Sequence, residues 1–109
     1  MPIYNLTRES IIAKDFKQVQ KVQDLLLGLL NPRSPRTLIF KTRFGIHTFG
    51  LKTKIDVIVL DRNLKVVKMA KLKPWRVFFW NPLYNLVVEM PQGVIKNSKT
   101  ELGDRIEIR

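Results

Sequence analysis

The chain has 109 residues and a mass of 12.8 kDa, and its 45% hydrophobic and 27% charged residues exclude disordered, collagen-like and low-complexity classes. It contains no cysteine, which excludes disulfides, thiol nucleophiles, cysteine-bound zinc and iron–sulfur clusters. Its 20 Lys and Arg against 9 Asp and Glu give a net charge of +11, which favours a polyanionic partner. The length suits a single domain over residues 1–109.

Two short strands and one helix are predicted at the start of the chain. Residues 3–14 mix β-branched and aromatic residues around a polar interruption at Thr7–Ser10, a pattern that predicts two strands joined by a turn. From Asp15 onward, apolar residues recur every three or four positions, which predicts one amphipathic α-helix over about residues 15–30. Asp15 is the expected N-cap, and Asn31-Pro32 ends the helix and begins a proline-containing connector.

The remainder of the chain reads as β-structure. Short strands are predicted within residues 37–40 and 46–49, and the apolar segment 55–60 is predicted to be a central strand that returns as 64–72. Apolar stretches at 75–80 and 83–90, a turn at Pro91-Gln92-Gly93 and an alternating tail with Ile106 and Ile108 inward follow. The expected fold is mainly β: a small distorted barrel or jelly-roll-like sandwich with one helix.

Several chemistries lack the residues they need. One histidine cannot supply a two-histidine metal site, and the five scattered glycines build neither a dinucleotide fingerprint nor a P-loop, so no metal or cofactor is expected. No serine lies in a nucleophile motif. No apolar run approaches the roughly 20 residues of a membrane span, and the first residues do not resemble a secretory leader. We therefore expect a soluble cytoplasmic protein without a membrane partner.

Three polar residues in apolar surroundings are candidate ligand-binding residues. Asp56 lies within the segment expected to be a central strand, and a short hairpin would bring His47 beside it, which is a general-base arrangement. A buried Asp56 needs a partner, for which Arg43, Arg76 and His47 are candidates, or it serves only to anchor the strand register. Glu89 raises the same question in another apolar run.

A second candidate surface combines cations with aromatic residues. The segment 71–80 interleaves lysine and arginine with tryptophan and phenylalanine, a mixture used by single-stranded nucleic-acid-binding proteins to stack bases and hold phosphates. The candidate residues are Lys65, Lys68, Lys71, Lys73 and Arg76, with Trp75 or Trp80 for stacking. The competing interpretation places these aromatic residues in the core of so small a domain.

Linked motifs give the chain a family resemblance. They are Ile46-His47-Thr48-Phe49-Gly50-Leu51, Ile55–Asp61, Val66-Val67, Lys73-Pro74-Trp75-Arg76, Val88–Gly93 and Leu102-Gly103-Asp104. With these motifs the chain, from about residue 5 to 108, resembles the prokaryotic domain-of-unknown-function family one-nine-two. The resemblance implies a small barrel-like β-sandwich with one helix and no established activity. It also implies an arginine three residues before Gly28-Leu29-Leu30, where this chain has Leu25.

Three functions follow as hypotheses. The first is a non-enzymatic module that binds a small ligand or a protein surface at a polar cluster of His47, Asp56 and Glu89, with Arg76 nearby. The alternatives are a basic nucleic-acid-binding module and a hydrolase that uses His47 and Asp56. An open site at which these polar side chains meet would distinguish the first hypothesis from the others.

Overall fold

The computed structural model describes residues 2–19, 37–43 and 45–109. Within these ranges the chain forms ten strands and one short helix, which confirms the expected mainly β fold. The strands are β1 (Ile3–Asn5), β2 (Ser10–Ala13), β3 (Lys17–Val19), β4 (Leu38–Lys41), β5 (Ile46–His47), β6 (Ile55–Leu60), β7 (Val66–Leu72), β8 (Val77–Phe78), β9 (Leu86–Pro91) and β10 (Ile106–Ile108), and the helix is α1 (Val94–Ser98).

The strands form three sheets arranged as a distorted sandwich that does not close into a barrel. The largest has five strands in the order β3-β4-β9-β6-β7, and the others are β10-β1-β2 and β5-β8. The segment expected to be central is β6, which is buried along its whole length and pairs antiparallel with both β7 and β9. A strand buried on both faces is continuously apolar, and Asp56 is the exception in β6.

The five-stranded sheet separates two apolar cores. Because side chains alternate across a strand, Ile58 faces one core with Val88, whereas Val57 faces the other. The first core is closed by Ile3, Ile12 and Ile106 of the three-stranded sheet and by Ile95 of α1. The second is closed by Ile46 of β5, Trp80 and partly buried Phe78 of β8. The β5-β8 sheet therefore lies on the opposite side of the molecule from β1 and β10.

The first described residues of the predicted helix form a strand instead, so the prediction is wrong there. Residues Lys17–Val19 form β3, which pairs in parallel with Leu38–Phe40, and the Lys17 amide donates to the Thr37 carbonyl at 3.0 Å. A few residues fit both periodicities, and pairing with a strand some 20 residues away selects the extended form. Residues 20–30 of the predicted helix lie outside the described residues.

Helix α1 was not predicted, because five residues are too short to show a helical period. It begins after Gly93, whose φ of 98° is one that glycine adopts without strain, and this agrees with the turn predicted there. It ends at Lys99, in the left-handed region, where the Thr100 amide donates back to the Ile95 carbonyl at 3.1 Å.

A buried polar network joins the β1–β2 turn to the segment between α1 and β10. Fully buried Asn5 donates from Nδ2 to Thr100 Oγ1 and to Asp104 Oδ2, each at 3.0 Å. Arg8 Nε and the Glu101 amide donate to the same Asp104 oxygen at 3.0 and 2.9 Å. The network holds β1 and β10 of the three-stranded sheet together. Its residues lie about 95 positions apart in the chain, so no local sequence pattern could have revealed it.

Candidate functional site

The Asp56 carboxylate serves the fold. Its side chain is fully buried, and Oδ2 accepts a hydrogen bond of 2.9 Å from the Ile95 amide, which caps the first turn of α1 from a neighbouring strand. Oδ1 has no hydrogen-bond partner among the described residues. The expectation that Arg43, Arg76 or His47 would hold this carboxylate is therefore wrong, and Asp56 fits the alternative of a buried anchor.

Glu89 is buried on the other face of the same sheet. In the β6–β9 register Asp56 lies opposite Met90, whereas Glu89 lies opposite Val57, so the two acids point into different cores. Only 3% of Glu89 is exposed, and burial raises its pKa to about 7. No described residue donates a hydrogen bond to it. The two carboxylates thus cannot contribute to one pocket.

His47 lies at the surface in β5, in a different sheet from Asp56 and Glu89. Its Nδ1 accepts a hydrogen bond of 3.2 Å from the Phe49 amide. The predicted cluster of His47, Asp56 and Glu89 is therefore not formed. The hydrolase hypothesis loses the imidazole–carboxylate pair on which it depended.

The exposed feature around His47 is a stack of three rings, which we call the aromatic stack: His47, Phe49 and Trp75. The ring centroids of His47 and Phe49 lie 4.7 Å apart with planes inclined by 25°. Those of Phe49 and Trp75 lie 5.6 Å apart at 27°. Phe49 is 46% exposed and Trp75 66%, so the stack lies at the protein surface. Large apolar side chains this exposed mark interaction sites more often than fold elements.

The stack depends on Thr48, which joins the β5 end to the loop Lys73–Arg76. Its hydroxyl donates to the Lys73 carbonyl at 2.6 Å and accepts from the Arg76 amide at 2.8 Å. Its backbone carbonyl accepts from the Trp75 amide at 3.1 Å, and its amide donates to the Arg76 carbonyl at 2.9 Å. Trp75 is held at a φ of 61°, a conformation that costs a non-glycine residue energy.

The predicted basic residues do not all share this surface. Lys73 and Arg76 are exposed on the loop that carries Trp75, and Lys68 lies over the Phe78 ring at 4.9 Å, on the β5-β8 side. Lys71 lies opposite Asp56 and therefore projects from the other face of β7. Lys65 precedes β7, and its backbone forms an isolated antiparallel β-bridge with Arg105. Positions three apart on a strand point to opposite faces, which separates Lys68 from Lys71.

The two candidate stacking tryptophans differ completely in environment. Trp80 is only 7% exposed, packs in the second core and donates from Nε1 to the Tyr84 carbonyl at 2.7 Å. Trp80 is therefore a core residue, as the competing interpretation held, whereas Trp75 is a surface residue. Sequence reasoning did not identify Thr48 and Phe49 as part of the aromatic stack and its support, although His47-Thr48-Phe49 was a visible motif.

The described part of the chain lacks two further features. In that part of the chain no group of three or more His, Cys, Asp or Glu side chains could hold a metal ion. None of the helices described there has the length and hydropathy needed to span a membrane.

Comparison with known proteins gives the chain a family. Residues 18–108 match the model of the family DUF192, described as "Uncharacterized ACR". The chain belongs to this family. A UPF0127 protein of Pyrococcus horikoshii is 37% identical over 74% of this chain and 76% of its own length, and one of Pyrococcus furiosus is 32% identical over 94% of both.

A solved structure shares the fold of this DUF192 chain. A protein of unknown function from Novosphingobium aromaticivorans aligns with a TM-score of 0.78 over 99% of this chain and 84% of its own, at 14% sequence identity. Of the motif positions that carried the resemblance, Thr48 and Phe49 lie in or beside the aromatic stack, and Asp104 lies in the buried network. Leu25, where the resemblance implies an arginine, lies outside the described residues.

Gly45 allows the chain to pass close to Phe78 and Phe79. We predict that Gly45→Ala lowers the free energy of unfolding by about 2 kcal/mol. Its φ is +127°, and a Cβ there would lie 2.5 Å from the Phe78 carbonyl oxygen and 2.8 Å from Phe79 Cδ1. Urea unfolding measures the loss. The matched control is Gly50→Ala, where φ is +85° but no atom lies within 4 Å, so about 1 kcal/mol is expected. Equal losses at both positions would contradict the steric argument.

Proposed function

We propose that this DUF192 protein is a non-enzymatic module that binds single-stranded nucleic acid at the aromatic stack and the adjacent Lys73 and Arg76. The observation that carries the proposal is three near-parallel, solvent-exposed rings beside two cations on one structured loop. Single-stranded nucleic acids are recognised by aromatic faces that stack bases and by cations that neutralise phosphates.

Charge supports a polyanionic partner. The net charge is +11, and between residues 62 and 88, which include the Trp75 loop, there is no acidic residue. Ring geometry favours bases over lipid chains, because parallel rings at 4.7 and 5.6 Å present flat faces that a further base can extend. Lys68 adds a cation on the same side of the molecule, whereas Lys65 and Lys71 contribute only to the long-range field.

The free protein already holds Trp75 in place, which lowers the entropic cost of binding. Hydrogen bonds from both the side chain and the backbone of Thr48 to the loop hold Trp75 in its left-handed conformation in the free protein. A ring that is already immobilised loses little conformational entropy when a base stacks on it. Strained residues maintained at a surface are a feature of binding sites.

Fluorescence anisotropy with labelled single strands of about 12 nucleotides, RNA and DNA, tests the proposal. We expect micromolar or tighter binding near 50 mM salt, and a steep loss of affinity near 200 mM because bound cations are released. A duplex of the same sequence should bind more weakly, since its bases are not free to stack. Absence of binding at low salt, or equal affinity for the duplex, would refute the proposal, as would tight binding to anionic phospholipid vesicles instead.

Trp75→Ala is expected to weaken single-strand binding about tenfold, because one base–aromatic stacking contact contributes about 1–3 kcal/mol. The matched control is Leu102→Ala, a side chain that is 63% exposed in the segment between α1 and β10, where affinity should not change. Lys73→Gln and Arg76→Gln should each reduce the dependence of log affinity on log salt by about 0.7. The exposed Lys14, next to β2, provides the control Lys14→Gln.

A further inference from the structure

Thr48 is fully buried, and its side chain and backbone both form hydrogen bonds with the loop Lys73–Arg76, which carries the exposed ring of Trp75. A threonine hydroxyl offers one donor and two acceptor sites. Here the donor goes to the Lys73 carbonyl and an acceptor site to the Arg76 amide, so the hydroxyl fixes the residues on both sides of Pro74-Trp75. The backbone of Thr48 binds Trp75 and Arg76 directly.

Thr48 also connects the other two rings of the stack along the chain. Thr48 lies between His47 and Phe49 in the chain, and the Phe49 amide donates to His47 Nδ1, which folds these two rings against each other. His47 and Trp75 each stack on Phe49, which makes Phe49 the middle ring. Trp75, at 66% exposed, offers the largest free aromatic area for a ligand.

From this arrangement we infer that Thr48 is the positioning residue of the binding surface, and that Trp75 is the ring on which a nucleobase stacks. The inference deepens and rests on the proposed function. Thr48 touches no ligand; it holds Trp75 in the left-handed conformation that brings its indole ring onto Phe49. Loss of the hydroxyl removes the bonds at Lys73 and Arg76 on either side of Trp75, so only the backbone bonds of Thr48 then oppose relaxation of Trp75 out of the stack.

Thr48→Val removes the hydroxyl and keeps the shape. We expect it to weaken single-strand binding about tenfold, the same loss as Trp75→Ala, because both remove one ordered stacking contact. In a Trp75→Ala background, Thr48→Val should have less than about a twofold effect, since the residue it positions is already gone. Thr48→Ser, which keeps the hydroxyl, should bind like the natural protein. Independent, additive losses would overturn the inference, as would a tenfold loss in Thr48→Ser.

A readout without nucleic acid separates this inference from the proposed function. The chain has two tryptophans, so Trp80→Phe leaves Trp75 as the sole indole fluorophore. In that background Thr48→Val should lower the steady-state anisotropy of Trp75 and raise its quenching by acrylamide. Unchanged fluorescence would overturn the role of Thr48 whether or not the protein binds nucleic acid, whereas failed binding with the expected fluorescence change would refute only the proposed function.

The natural protein allows a test that does not depend on any variant folding. The Trp75 and Arg76 amides donate to Thr48 within an otherwise exposed loop. Hydrogen exchange followed by NMR should find both amides protected well above the rate of an unstructured peptide. Exchange at the unstructured rate would show that Thr48 does not hold the loop.

Discussion

Replacing Glu89 with glutamine is expected to stabilise the protein above neutral pH by about 3 kcal/mol and to change its stability little near pH 4. Burial between the apolar neighbours Leu38 and Val57 raises the Glu89 pKa from 4.5 to about 7. Between these two values the folded chain retains a proton that the unfolded chain has released. The free energy of unfolding therefore falls as pH rises from about 4.5 to about 7 and then levels off.

Urea unfolding of the natural protein and of Glu89→Gln at several pH values between 4 and 9 measures this effect. The difference between the two proteins isolates Glu89 from all other titrating groups. Glu107→Gln is the matched control, because a hydrogen bond from Arg109 lowers the Glu107 pKa, so its effect has the opposite sign. A stability difference between Glu89→Gln and the natural protein that does not vary with pH would show that folding does not raise the pKa of Glu89.

Asp104→Ala is expected to lower the free energy of unfolding by about 3 kcal/mol at pH 7, because it removes the common acceptor of three hydrogen bonds. Burial opposes ionisation of Asp104, but hydrogen bonds from Arg8, Asn5 and the Glu101 amide outweigh it and lower the Asp104 pKa. The stabilisation is present above the unfolded pKa of about 3.8 and disappears as pH falls through the lower folded value. The loss measured by urea unfolding should therefore be smaller at pH 2 than at pH 7.

Glu101→Ala serves as the matched control for Asp104→Ala. The Glu101 carboxylate pairs with the same arginine, Arg8, at 2.6 Å, but its side chain is 68% exposed, and exposed ion pairs contribute little to stability. Comparable losses in the two variants would mean that the arginine pairing, and not the buried acceptor, maintains the link between the first and last strands.

Sequence pattern alone determined most strand positions, the burial of β6 and the basic character of the protein. Runs of β-branched residues that end at a turn signal report local extended structure, and residues 55–60, followed by Asp61-Arg62-Asn63, coincide with β6. The linked motifs were sufficient to indicate the family as well. The interleaved cations and aromatic residues of segment 71–80 marked Trp75 and Arg76 as candidate binding residues, because aromatic and cationic side chains adjacent in sequence need little tertiary information to share a surface.

Tertiary structure decided which elements became neighbours, and therefore the site. Residues 17–19 are extended because they pair with β4, and α1 forms where a carboxylate 39 residues away caps it. His47, Asp56 and Glu89 were expected to meet, but β6 pairs with β7 and β9 and not with β5, and the register places the two acids on opposite faces. Local sequence encodes the period and burial of a segment. The choice of strand partner and register depends on contacts between distant parts of the chain. This choice brings Phe49 onto Trp75 and leaves Trp80 in the core.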